Sequence, residues 1–77
     1  MVRVHISLTR DFADDPARRA AVRASIEAIT PLLDVDERRF ERHGLLTATI
    51  ASPALIAGIE GLLGVLAVEP DAERRAL

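Results

Sequence analysis

The side chains of this sequence that invite chemistry are two imidazoles, three serine hydroxyls and a few acidic clusters, and their spacing argues against most of the chemistry they suggest. His5 falls within an alternating stretch and His43 beside a glycine. Neither is flanked at metal-ligand spacing and no third ligand type clusters with them, so no metal site is expected and both read as exposed polar side chains. Ser7, Ser25 and Ser52 lack the G-x-S-x-G context that lifts a serine nucleophile above a sheet. Ser52 stands before Pro53 and reads as a helix cap. Asp14 and Asp15 form a charged turn and a cap. Asp34, Asp36 and Glu37 lie in a polar connection without the glycine and ligand spacing of a calcium loop. Gly58, Gly61 and Gly64 lie inside or just after a helical stretch, not in a phosphate-binding loop. No convergent set of ionisable groups remains, so neither an enzyme nor a cofactor is expected.

The elements that would carry any binding surface follow from hydrophobic periodicity. The chain has 77 residues and no Cys, which suits one domain over 1–77 without a disulfide framework. Residues 2–9 alternate, with Val2, Val4, Ile6 and Leu8 against Arg3, His5, Ser7 and Thr9, the period of a half-buried strand. Asp15-Pro16 opens a helix, and Val22, Ile26, Ile29 and Leu33 recur on one stripe until Pro31 stops the regular helix near Thr30. Residues 38–42 (RRFER) read as a short charged edge strand. Residues 45–51 form a second apolar strand. Ser52-Pro53 opens a second helix to about 62, which Gly64 ends in a left-handed turn. Its buried side is assigned to Leu55, Ile56, Ile59, Leu62 and Leu63. A last strand ends at Pro70, and 72–77 form a polar tail. The order strand-helix-strand-strand-helix-strand predicts an α+β, ferredoxin-like β-α-β-β-α-β domain, a four-stranded antiparallel sheet with two helices on one face.

The other face of such a sheet meets water or a partner. Parity sends Leu66 and Val68 toward the helices with Val4, Ile6, Leu46, Ala48 and Ile50. It leaves His5, Ser7, Leu45, Thr47, Thr49, Val65, Ala67 and Glu69 on the open side. Leu45, Thr47, Thr49, Val65 and Ala67 form a mildly apolar patch that reads as a docking face.

The net charge is −2 with all ten basic residues arginine, and the aromatics are Phe12 and Phe40. A nucleic-acid surface would be basic and aromatic, so no nucleic-acid partner is expected. No apolar stretch approaches the ~20 residues that span a bilayer, so no membrane partner is expected.

The segment LLGVLAVEPDAERRAL (62–77) resembles the C-terminal part of subtilisin propeptides, the peptidase inhibitor I9 family. Gly64-Val65, Val68-Glu69 and Asp71 match the family's pattern G-V-x-x-V-E-x-D, followed by a tail of the family's length. Phe40, Gly44 and LLTATIA resemble its middle strand. The resemblance implies a subtilisin-like serine protease as partner, with the open sheet face docked on two of its surface helices. It implies that Glu69 and Asp71 cap those helices, whose N-terminal N–H groups favour carboxylates. It implies that Arg74, Arg75, Ala76 and Leu77 enter the cleft as an extended, product-like strand, with Leu77 in the primary specificity pocket. Arg74 stands where the family carries a small or apolar side chain, which calls for an acidic or open subsite in the protease or else for a weakly bound tail. Such a protein is a monomer when free, cytoplasmic if it stands alone and secreted if it is an excised propeptide with chaperone activity. The alternative is a regulatory or assembly module that homodimerises through its sheet.

Overall fold

The computed structural model describes residues 1–71. The alternating stretch at the start forms β1 (Val2–Leu8), which pairs antiparallel with β2 (Leu45–Ile50) on one side and β3 (Val65–Pro70) on the other. Between β1 and β2 lie α1 (Arg10–Ala13), α2 (Pro16–Glu27) and α3 (Glu37–His43). A 3-10 turn (Pro53–Leu55) and α4 (Ile56–Glu60) precede β3.

Among the described residues the sheet has three strands in the order β2-β1-β3. This corrects the expected four-stranded ferredoxin-like sheet, while the α+β class is compatible with what is seen. The position beside β2 carries a single bridge, Leu33 with Thr49, plus one bond from the Asp36 amide to the Thr47 carbonyl at 3.0 Å. Asp34 has a left-handed backbone with φ 49°, which breaks the extended chain after one pair.

The RRFER segment, expected as that edge strand, is instead α3. Three local features favour a helix. The Asp36 side chain accepts the Arg39 amide at 3.1 Å as an N-cap. Gly44 closes the helix with φ 65°. Phe40 is the one apolar side chain in the segment, and a helix buries it while leaving its charged neighbours outside. An added Cβ at Gly44 would lie 2.8 Å from Ala13 Cβ, so this turn also packs closely on α1.

The helix starts agree with the sequence. Asp15 accepts from the Ala17 amide at 2.9 Å and the Arg18 amide at 3.4 Å, ahead of Pro16. Ser52 accepts from the Ala54 amide at 3.1 Å. One core cluster joins Val22 and Ile26 of α2, Phe40 of α3 and Ile59 of α4 to Val4, Ile6, Leu8, Leu46, Ile50 and Val68 of the sheet. All three helices therefore lie against the same sheet face. The outer ends of the predicted stripes escape burial: Ile29, Leu33 and Leu63 are exposed.

Arg23 ties α2 to α3. Its guanidinium donates to both Glu37 carboxylate oxygens, at 2.6 and 2.8 Å, and stacks 5.6 Å above the Phe40 ring. The hydrogen bond from Arg23 holds the Glu37 carboxyl below its ordinary value of 4.5. A lowered folded-state pKa stabilises the fold above the unfolded value, and that stability is lost as pH falls through the folded one. The Glu37 side chain is 60% exposed, so solvent screening keeps the pair to about 0.2–1 kcal/mol. Glu37→Gln is expected to lower stability by no more than that at neutral pH, with the difference from the parent vanishing well below pH 4.5. Urea melts of both proteins at the two pH values check it.

Candidate functional site

The sheet face opposite the helices is built from the residues of β1, β2 and β3 that alternate with the core. At its centre is His5, opposite Thr47 on β2 and Glu69 on β3. His5 is 7% exposed and Thr47 4% exposed. The ring bridges two elements: Nε2 lies 2.8 Å from Oδ1 of Asp71, and Nδ1 lies 3.0 Å from Oγ1 of Thr47. A carboxylate only accepts, so Nε2–H donates to Asp71 and, in the neutral ring, Nδ1 accepts the Thr47 hydroxyl proton. The line Thr47–His5–Asp71 therefore fastens β2 to β1, and β1 to the residue just past β3.

This burial corrects the reading of His5 as an exposed polar side chain. The missed signal lies in the topology. A residue in mid-strand at the centre of a sheet is shielded by both neighbouring strands, and β1 lies between β2 and β3.

The three partners stand in the order hydroxyl, imidazole, carboxylate, which is the order of a nucleophile, its base and an orienting acid. A nucleophile must reach a substrate atom. The Thr47 hydroxyl sits on a buried residue, already bound to the ring, so the line joins strands and offers no attacking group in this conformation. Among the described residues no group of three or more His, Cys, Asp or Glu is placed to hold a metal ion. Among the same residues no helix is long and apolar enough to cross a membrane.

The predicted docking residues divide. Leu45, Thr49 and Ala67 are half-buried on the open face, and the Thr49 hydroxyl accepts from Arg3 Nη1 at 3.2 Å. The same Arg3 nitrogen reaches the Asp34 carbonyl at 3.1 Å, so its side chain spans the β2 side of the face. Thr47 belongs to the face by parity but is buried beside His5. Val65 leaves the face. The β1–β3 register shifts between Ser7 and Leu8, so Ala67 pairs with Ser7 but Val65 pairs with Leu8. Val65 thus packs against the core. Leu66, expected toward the helices, is the extra residue of that bulge and is 68% exposed.

Glu69 is exposed. Asp71, expected to point at a partner, already engages His5. The tail residues Arg74, Arg75, Ala76 and Leu77 lie outside the described residues. No protein-family model, curated protein or solved structure matches this chain.

Proposed function

We propose that this chain inhibits a subtilisin-like serine protease, docking with the sheet face opposite α2, α3 and α4 and presenting its C-terminal tail to the cleft as a product-like strand. The observation that carries the reading is the one-sided packing of the domain. Every core-forming helix covers the same face, and the other face carries a small half-apolar surface around Leu45, Thr49 and Ala67 with the exposed Glu69 at its β3 end. The resemblance of residues 64–71 to the propeptide pattern supports a subtilisin-like protease as the partner class.

In this reading Glu69 caps a helix N-terminus of the protease, a contact worth about 0.3–2 kcal/mol. Asp71 contributes in a second way. Its bond to His5 anchors Asp71, the residue before the tail, beside the central strand. Preorganisation of this kind raises affinity by reducing the ordering cost of binding. The tail then pairs with the cleft by backbone hydrogen bonds and fills the primary pocket with Leu77. The domain acts by occupancy and performs no chemistry of its own.

Inhibition of peptide hydrolysis by a panel of subtilisins is the direct test. Full-length protein is expected to inhibit at least one of them competitively. Deletion of residues 74–77 is expected to weaken that inhibition by about a hundredfold or more, as loss of two or more well-buried anchors does elsewhere. Full protease activity at tens of micromolar inhibitor would remove the reading.

One observation favours a second reading, a homodimeric assembly module. Leu63 and Leu66 are 81% and 68% exposed beside the edge of β3 that pairs with no strand among the described residues, and an apolar strand edge is a template for pairing with another chain. A light-scattering mass separates the two, since the inhibitor is a monomer when free and the module is a dimer.

A further inference from the structure

The arginines of the described chain fall into two groups. Arg3, Arg10, Arg18, Arg19 and Arg23 each meet a carboxylate, a hydroxyl or a carbonyl. The side chains of Arg38, Arg39 and Arg42 have no hydrogen bond, ion pair or ring contact within the described residues, and all three sit on α3. They are exposed, and with His43 they line one shallow depression of about 210 Å³.

The acids nearby do not neutralise them. Asp36 lines the same depression, but its carboxylate is committed to the Arg39 amide as the N-cap. Glu37 is held by Arg23, and Glu41 lines a separate groove between α3 and α2, with Arg19 and Arg23. Like charges three and four positions apart on a helix repel, as Arg38 and Arg39 do with Arg42. The helix dipole accounts for Arg42 and His43, which lie in the last turn. It opposes Arg38, which lies in the first turn.

We propose that this depression binds a small phosphate-bearing polyanion, a diphosphate or a molecule carrying one. Guanidinium forks match the oxygen geometry of phosphate and hold it by paired, charge-assisted bonds. Three adjacent guanidinium charges exceed what a single carboxylate neutralises, and a diphosphate concentrates several charges within the reach of this one helix. A long polyanion fits less well, because the patch is short and the whole chain carries −2, which repels a strand running beyond it. The site stands apart from the protease reading and does not depend on it.

The test is a titration of the ¹⁵N-labelled protein with pyrophosphate, followed by amide shifts. Saturable shifts confined to residues 36–44 are expected. The affinity is expected to fall as salt rises from about 50 to 200 mM, as counterion release requires. An R38Q/R42Q variant is expected to bind at least about tenfold more weakly, having lost two charge-assisted contacts, while Arg10→Gln binds like the parent. Both replaced side chains are exposed and unbonded, and circular dichroism verifies that the fold is kept. Non-saturating shifts, equal binding by the double variant, or tighter binding of an oligoglutamate peptide or single-stranded oligonucleotide of matched charge would each overturn the proposal.

Discussion

Gly64→Ala is expected to leave a large share of the protein unfolded at room temperature. Gly64 has φ 92°, a left-handed conformation that costs an L-residue roughly 1–2 kcal/mol. The space is also taken. A Cβ at this position would lie 2.7 Å from both Phe12 Cδ2 and Val22 Cγ2, and overpacking of that kind costs about 1–3 kcal/mol. The two effects together approach the ~3–5 kcal/mol that a domain of this size holds without disulfides or metals. The turn also joins distant parts of the chain, since the Thr9 amide donates to the Gly64 carbonyl at 2.9 Å. A thermal melt by far-UV circular dichroism is the measurement. The midpoint is expected to fall by more than about 10 °C, given ~4–8 °C per kcal/mol for small domains. A fall of only a degree or two would mean that the turn and its contact with Phe12 and Val22 are not as described.

The second large effect is expected at the centre of the open face. His5→Leu keeps a buried side chain of similar bulk but removes both ring hydrogen bonds. The buried Thr47 hydroxyl then loses the ring as its partner, at a cost of about 1–3 kcal/mol, and the charge-assisted bond to Asp71 is lost as well. A total of about 2–4 kcal/mol follows. The diagnostic comparison is His5→Leu with Thr47→Val in the same chain. Removing the hydroxyl along with the ring leaves no orphaned hydroxyl beside residue 5, so the double variant is expected to regain part of the stability lost in the single one. Urea midpoints of the four proteins of this cycle measure the coupling. Strictly additive losses would show that the Thr47–His5 bond contributes nothing to stability.

The two predictions bear on function in different ways. Gly64 sets where β3 begins, and so whether Pro70 and Asp71 lie beside β1. His5 holds Asp71 at the residue before the tail. A His5 variant that remains folded yet inhibits a protease less well would link the buried line to tail presentation. Stability and inhibition are therefore best measured on the same protein samples.

Much of the framework is written in short-range chemistry. Asp15-Pro16 and Ser52-Pro53 start helices because a side-chain oxygen and a fixed φ act within one turn, whatever packs on them later. The alternation in β1 and β2 marks their buried sides because side-chain direction reverses at every strand residue. Gly64 is legible as a left-handed stop for the same local reason. The helix of α3 was also within reach. Asp36 and Gly44 bracket it as caps, but the charge of RRFER drew it toward an edge strand.

The open face could not be read this way. Parity placed Val65 on it and Leu66 off it, and one bulge against Leu8 reversed both. A bulge is a property of the pairing between β1 and β3, two segments nearly sixty residues apart in a chain of 77, and no local pattern encodes it. His5 looked like a solvent-facing polar residue because its neighbours in sequence say nothing of Thr47 or Asp71. Its burial and both its bonds arise when three distant segments come side by side. Caps and alternation act between residues a few positions apart, so the linear chain already holds them. Register and the partners of a buried polar group depend on contacts that exist only once the chain has folded.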